Sequence, residues 1–169
     1  MSEAGRVAVH VKYGDVEQTF TGGVDDVWVS VNKFFSEFVP SFEIARKLVL
    51  SVDLQKLVKE CEDIIAFAEE GVNLLVSRDR LTDNETLLLW LLASYVGIRL
   101  GLVDGDGVSR EELQFRLGKS GKITSTRLGE LVKSDMVVKT DDDTYRITTF
   151  GVVQMQREII PKIKAKIDT

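Results

Sequence analysis

Residues 123–137, ITSTRLGELVKSDMV, and residues 145–151, YRITTFG, decide the fold of this chain. The first stretch places Leu128 and Leu131 on one face of a helix that begins near Thr124 and leads into a strand. The second stretch returns as the partner strand after an acidic turn. The two stretches therefore predict a helix followed by a β-hairpin.

Two helix starts are visible upstream of this region. Thr82 and Glu85 have the spacing of a capping box and predict a helix over residues 82–100 that is apolar on all sides. Ser109 and Glu112 have the same spacing and predict a short helix that breaks at a glycine-containing turn. The predicted order is therefore helix, helix, turn, helix and hairpin.

This order and the two quoted stretches resemble the winged-helix family of helix-turn-helix proteins, in particular the bacterial and archaeal regulators of the MarR and ArsR type. The resemblance covers residues 81–160, with residues 123–137 as the recognition helix and first wing strand and residues 145–151 as the second wing strand. The whole chain also resembles an archaeal protein. The resemblance implies a protein that binds double-stranded DNA and regulates transcription.

In this family the amino-terminal residues of the recognition helix reach base edges in the major groove. The residues at these positions are Lys122, Ser125, Thr126 and Arg127, and phosphate support is expected from Lys119 and Lys133. Hydroxyl groups can bond to bases or phosphates, and Arg and Lys can neutralise phosphates or read guanine. Residues 119–139 hold five basic and two acidic side chains, a local net charge of +3.

Two features argue against DNA binding. The wing tip consists of Asp141, Asp142 and Asp143, where DNA-binding members often have basic residues, and Asp135 stands where glycine is usual. Aspartate can adopt the left-handed backbone needed at that position, so the turn itself is expected to form. The alternative function is a protein-interaction adaptor in a larger complex, in which the acidic wing tip and the acidic first half bind a basic partner.

A long helix is expected to close the chain over residues 152–167, with a kink at Pro161. This helix and the helix over residues 82–100 carry broad apolar surfaces, which predict a homodimer that presents two recognition helices. The other interpretation is that the amino-terminal lobe covers these surfaces within one chain. The apolar residues concerned in the closing helix are Val152, Val153, Met155, Ile159 and Ile160.

A β-hairpin is predicted at the amino terminus. Residues 7–13 alternate between apolar and polar side chains, and Gly14 with Asp15 suits a tight two-residue turn. A helix is predicted after Gly23 and ends before Pro40. The expected strand register places Tyr13 opposite Val16, Val11 opposite Gln18 and Val9 opposite Phe20.

A further helix is expected to begin at Ser51 or Asp53 and to end near Gly71. The polar stretch 77–83 marks the boundary between an amino-terminal lobe, residues 1–80, and a winged-helix domain, residues 81–169. The predicted fold class is α+β: an amino-terminal β-hairpin plus helices, then a carboxy-terminal winged helix-turn-helix with a long closing helix. The apolar face of the further helix consists of Leu54, Leu57, Val58, Cys61, Ile64, Ile65 and Ala68.

Composition restricts the function classes. The 169 residues include one cysteine, Cys61, and one histidine, His10, so we expect no disulfide, no metal site, no cofactor and no enzymatic activity, in a reducing cytoplasm. The longest apolar run, residues 87–95, is too short to cross a membrane. The net charge of −5 opposes nonspecific binding to nucleic acid, so any DNA contact has to come from a local patch.

Overall fold

The computed structural model describes residues 5–38, 48–105 and 107–168. The chain is α+β and divides into two compact units, Met1–Val49 and Leu50–Thr169. This division differs from the predicted boundary near residue 80, because side chains between residues 50 and 80 are buried in the same core as the central helix of the second unit.

In the described part of the first unit, residues 5–38 and 48–49, a hairpin packs against a helix. Strand β1, Val7–Tyr13, pairs antiparallel with β2, Val16–Gly22, and helix α1 spans Val24–Phe38. The predicted register is confirmed, with Tyr13 opposite Val16, Val11 opposite Gln18 and Val9 opposite Phe20. The Phe34 side chain of α1 is buried, and its ring meets the edge of Phe20 with 6.1 Å between the ring centroids.

The predicted helix up to Gly71 is wrong beyond its first two turns. Helix α2 covers only Leu54–Glu60, and strands β3, Ile65–Ala68, and β4, Gly71–Leu74, then form a second hairpin. The helix ends because Asp63 has a left-handed backbone with φ 67°, which an α-helix cannot continue through.

Helix α3, Asp83–Arg99, is the centre of the second unit, and its predicted capping box between Thr82 and Glu85 is confirmed. It is buried on most sides within one chain, as are Val152, Val153, Met155 and Ile160 of the closing helical segment. Most of the apolar side chains from which the homodimer was predicted are therefore interior, and Ile159 is partly buried, because α2, the β3–β4 hairpin and the closing segment share one core with α3. The side chains of α3 that are at least 98% buried are Leu87, Leu88, Leu89, Leu91, Leu92, Ala93 and Val96.

The predicted helix-turn-helix and hairpin are both present. Helix α4, Arg110–Leu117, leads through a turn into α5, Gly121–Lys133, and strands β6, Val137–Lys139, and β7, Thr144–Ile147, form the wing. A short strand β5, Val108–Ser109, which the sequence did not predict, pairs with β7 to complete a sheet in the order β5-β7-β6.

Two left-handed residues shape the connections around α5. Gly118 has φ 64° and ends α4. Asp135 has φ 59°, as predicted for the turn into the wing.

The closing helix begins three residues earlier than predicted. It consists of α6, Thr149–Gln154, a wider π-helical turn, Met155–Ile159, and α7, Ile160–Ile167. Pro161, where a kink was predicted, lies one residue after the π-helical turn, behind Ile160, and has no backbone N–H to donate to the preceding turn.

Candidate nucleic-acid interface

The solvent-facing side of α5 carries Lys122, Thr126, Gly129 and Lys133, spaced four, three and four residues apart. All four are exposed, while Thr124, Leu128 and Leu131 bury the opposite side of the helix. A Cβ at Gly129 would meet no atom within 4 Å. We call these four residues the α5 face. Two lysines flank small side chains on it, so another molecule can approach the helix closely.

The start of α5 adds an exposed cation. Ser120 caps the helix by accepting a hydrogen bond from the Ile123 N–H at 3.3 Å, and Lys119 is exposed in the turn just before it. The Arg78 guanidinium lies against this turn. Its Nη2 is 2.5 Å from the point that a Cβ would occupy if Gly118 were replaced by alanine. The sequence analysis missed Arg78, because no local pattern connects it with the turn between α4 and α5.

Arg127 points to α3 and to its own helix. Its Nη1 donates to both carboxylate oxygens of Glu130 at 3.1 Å, and its Nε lies 3.6 Å from Oδ2 of Asp83. The hydrogen bond and charge of Glu130, assisted by Asp83, raise the pKa of Arg127, and Arg127 lowers the pKa of Glu130. The Arg127 guanidinium, which was predicted to contact a base, is therefore paired with two carboxylates. Its pairing with Asp83 connects α5 to the start of α3.

Ser125 is exposed and bonded to a residue that the sequence analysis did not select. Nη1 of Arg110, the first residue of α4, donates to the Ser125 hydroxyl at 2.9 Å, which leaves the serine O–H free to donate elsewhere. The Thr126 hydroxyl donates to the Lys122 carbonyl at 2.9 Å and keeps its oxygen as an acceptor. The two hydroxyl groups can therefore serve as one donor and one acceptor at the surface.

The wing tip remains acidic. Nζ of Lys139 lies 2.5 Å from Oδ1 of Asp143, and this pairing lowers the pKa of Asp143. Asp141 and Asp142 are exposed, and neither forms an ion pair with any of the described residues. A polyanion at the tip would meet these two carboxylates, so the favourable charge lies along α5 and not on the wing.

Cys61 and His10, the single cysteine and the single histidine, have different surroundings. Cys61 is buried at the end of α2, and burial, with a smaller contribution from Glu60, raises the pKa of its thiol to about 11. His10 lies on the exposed hairpin, where Nε2 is 2.7 Å from Glu17 and Nδ1 is 2.9 Å from the Thr19 hydroxyl. Within the described residues, no group of three or more His, Cys, Asp or Glu side chains is arranged to hold a metal ion.

No protein-family model, curated protein or solved structure matches the chain. None of the helices in the described part of the chain combines the length and the apolar content needed to span a membrane.

Proposed function

We propose that this chain is a non-enzymatic, cytoplasmic protein that binds double-stranded DNA and regulates transcription. The observation that carries this proposal is the α5 face, where Lys122 and Lys133 flank Thr126 and Gly129 and none of the four residues is acidic. A helix in the major groove requires small polar groups near base edges and cations near phosphates. Glu130, the acidic residue next to this face, is bonded to Arg127 and Asn84.

Each residue then has a defined role. Ser125 and Thr126 lie where hydroxyl groups can bond to base edges, and Lys122 and Lys133 neutralise phosphates on either side. Lys119 supports a phosphate at the start of α5, where the helix N–H groups also favour an anion. Arg127 acts as a positioning residue, because its ion pairs with Asp83 and Glu130 hold α5 against α3.

Selection of bound duplexes from a random DNA pool at ~150 mM salt tests the proposal. The wild-type chain should enrich a sequence, and the double variant Lys122→Ala/Lys133→Ala should lose that enrichment. Lys162→Ala removes an exposed lysine of α7 and serves as the matched control, with enrichment like that of the wild type. Equal enrichment by the wild type and the double variant, or none by either, would refute the proposal.

Salt dependence gives a second measurement of the same contacts. Five cations of this surface can contact phosphates, so the log-log slope of affinity against salt should be no steeper than about −4.5. They are Arg78, Arg110, Lys119, Lys122 and Lys133. Replacing Lys122 by alanine should make the slope shallower by about 0.9. A slope unchanged by this substitution would mean that Lys122 does not contact phosphate.

The role of Arg127 can be separated from direct DNA contact with Asp83→Asn. This variant keeps the guanidinium charge but weakens the connection between α5 and α3. If Arg127 positions α5, DNA affinity falls. If Arg127 instead reads the DNA, loss of a competing carboxylate releases the guanidinium, and affinity rises.

An exposed phenylalanine favours a second candidate function, the protein-interaction adaptor. The Phe115 side chain on α4 is 82% exposed, and Asp141 and Asp142 at the wing tip are exposed as well. Exposed aromatic side chains are common anchors in protein interfaces, and exposed acidic groups suit a basic protein partner. Under this proposal, a defined partner co-purifies with the chain and is lost both from Phe115→Ser and from the variant in which Asp141, Asp142 and Asp143 are serine. A chain that is always isolated alone would contradict it.

A further inference from the structure

A cleft of about 420 Å³ lies between the second half of α3 and the wing sheet, away from the residues of the α5 face. Its apolar lining comes from Leu91, Ile98 and Ile147, of which Leu91 and Ile147 are buried. Tyr95 of α3 and Tyr145 of β7 also line it. Binding sites for small molecules have this size and this combination of apolar and aromatic surface with a few polar groups.

Arg99 supplies a cation at this cleft. Its guanidinium carbon lies 3.4 Å from the centroid of the Tyr95 ring, and its Nη1 donates to the Tyr95 carbonyl at 3.3 Å. Stacking on the ring holds the planar guanidinium in place. Arginine has five N–H donors, and the carbonyl uses one of them. No carboxylate of the described residues lies within ion-pair distance of Arg99, so its charge is available to a ligand.

Two hydroxyl groups of the cleft form no hydrogen bond within the described part of the chain. Ser94 and Thr149 line it, and neither side chain is hydrogen-bonded to any of the described residues. Thr148 beside them differs, because its hydroxyl donates to the carbonyls of Asp135 and Met136 and accepts from the Gly151 N–H. The cleft therefore presents donors that the fold itself does not use.

We propose that this cleft binds a small organic anion, a carboxylate or phosphate attached to a flat apolar ring. Arg99 and the hydroxyls of Ser94 and Thr149 bind the anionic group, since charged acceptors give the stronger hydrogen bonds to guanidinium. The ring lies against Tyr95 and the apolar lining. None of the described residues that line the cleft is acidic. This site is independent of DNA binding by α5.

Titration of the ¹⁵N-labelled full chain with benzoate, phenyl phosphate and the neutral analogue benzamide tests this site. At up to about 10 mM probe, a site with a Kd near 1 mM would be largely occupied. Benzoate or phenyl phosphate should shift the backbone amide signals of residues 94–99 and 145–149. The probe that binds with the lower Kd shows whether the site prefers a carboxylate or a phosphate. Benzamide should bind at least tenfold more weakly.

Two substitutions and a control complete the test. Arg99→Gln should weaken binding of the anionic probe by about tenfold or more, because a hydrogen bond to a charged group is lost, and should leave binding of benzamide unchanged. Thr149→Val should weaken it less and provides a second variant if Arg99→Gln does not fold. Arg157→Gln removes an exposed arginine outside the cleft and should have no effect. The proposal is overturned if no probe shifts these signals, or if the anions and benzamide bind equally.

Discussion

Leu57→Ala should destabilise the second unit, although residue 57 precedes the predicted domain boundary. The Leu57 side chain is 0% exposed and belongs to the core around α3. Truncation of a fully buried leucine costs about 2–5 kcal/mol, from the lost transfer free energy and the cavity left behind. With a urea dependence of about 2 kcal/mol per M, the unfolding midpoint should fall by about 1–2.5 M.

The two tryptophans allow this loss to be assigned to one unit. Trp28 lies in the first unit and Trp90 in the second. In a Trp28→Phe background, urea unfolding followed by Trp90 fluorescence should show the full shift of the midpoint. Leu75→Ala is the matched control from the same segment, because Leu75 is 57% exposed and its truncation should cost less than about 0.5 kcal/mol.

One result would refute the reasoning about the boundary. If Leu57→Ala shifts the Trp90 transition no more than Leu75→Ala does, residue 57 does not belong to the core around α3. A midpoint shift seen only through Trp28, in a Trp90→Phe background, would place residues 50–80 with the first unit.

Glu85→Gln should reduce the loss of stability in acid. Burial by itself raises the pKa of Glu85, but hydrogen bonds from Lys166 and Thr82 outweigh it and lower the pKa below its ordinary value. The stabilisation is therefore present above the unfolded-state pKa of about 4.5 and is lost as the pH falls through the lower folded-state pKa. Glutamine keeps the cap with Thr82 and loses the ion pair with Lys166. The difference in unfolding free energy between wild type and variant, measured in urea from pH 7 to pH 3, should therefore shrink towards low pH. A difference that stays constant with pH would contradict this. Gly151→Ala should cost about 3 kcal/mol, because its Cβ would lie 2.2 Å from the Met136 carbonyl oxygen. Gly129→Ala, where a Cβ meets nothing, should stabilise α5 by about 1 kcal/mol in the same urea measurement, and equal effects of the two substitutions would contradict the packing around Gly151.

Features set by neighbouring residues could be predicted from the sequence. The caps at Thr82 and Ser109 follow from hydrogen bonds over three residues, and the first hairpin follows from alternation around Gly14. The left-handed turn at Asp135 is of the same kind, because a short polar side chain tolerates that backbone. In each case the information lies within a few residues of the structure that it specifies.

Features that depend on distant residues could not be predicted. The apolar spacing of Ile64, Ile65 and Ala68 fits a helix, but these residues form the turn and strand that pack beside α3. The two-residue strand β5 exists because β7 lies next to it. The exposed lysines of α5 followed from helical spacing, whereas the pairing of Arg127 with Asp83 joins two helices and leaves no local signal.

Thr148 joins the closing helical segment to the residues that follow α5, so it can transmit force between them. Its hydroxyl bonds to carbonyls at the exit of α5, and the same oxygen caps the closing helical segment through the Gly151 N–H. A force that pulls the carboxy-terminal segment away from the core would have to break these bonds before α6 could separate. Tension applied at the carboxy terminus is therefore transmitted to the residues that follow α5 through Thr148, whose backbone N–H also donates to the Met136 carbonyl at 3.0 Å.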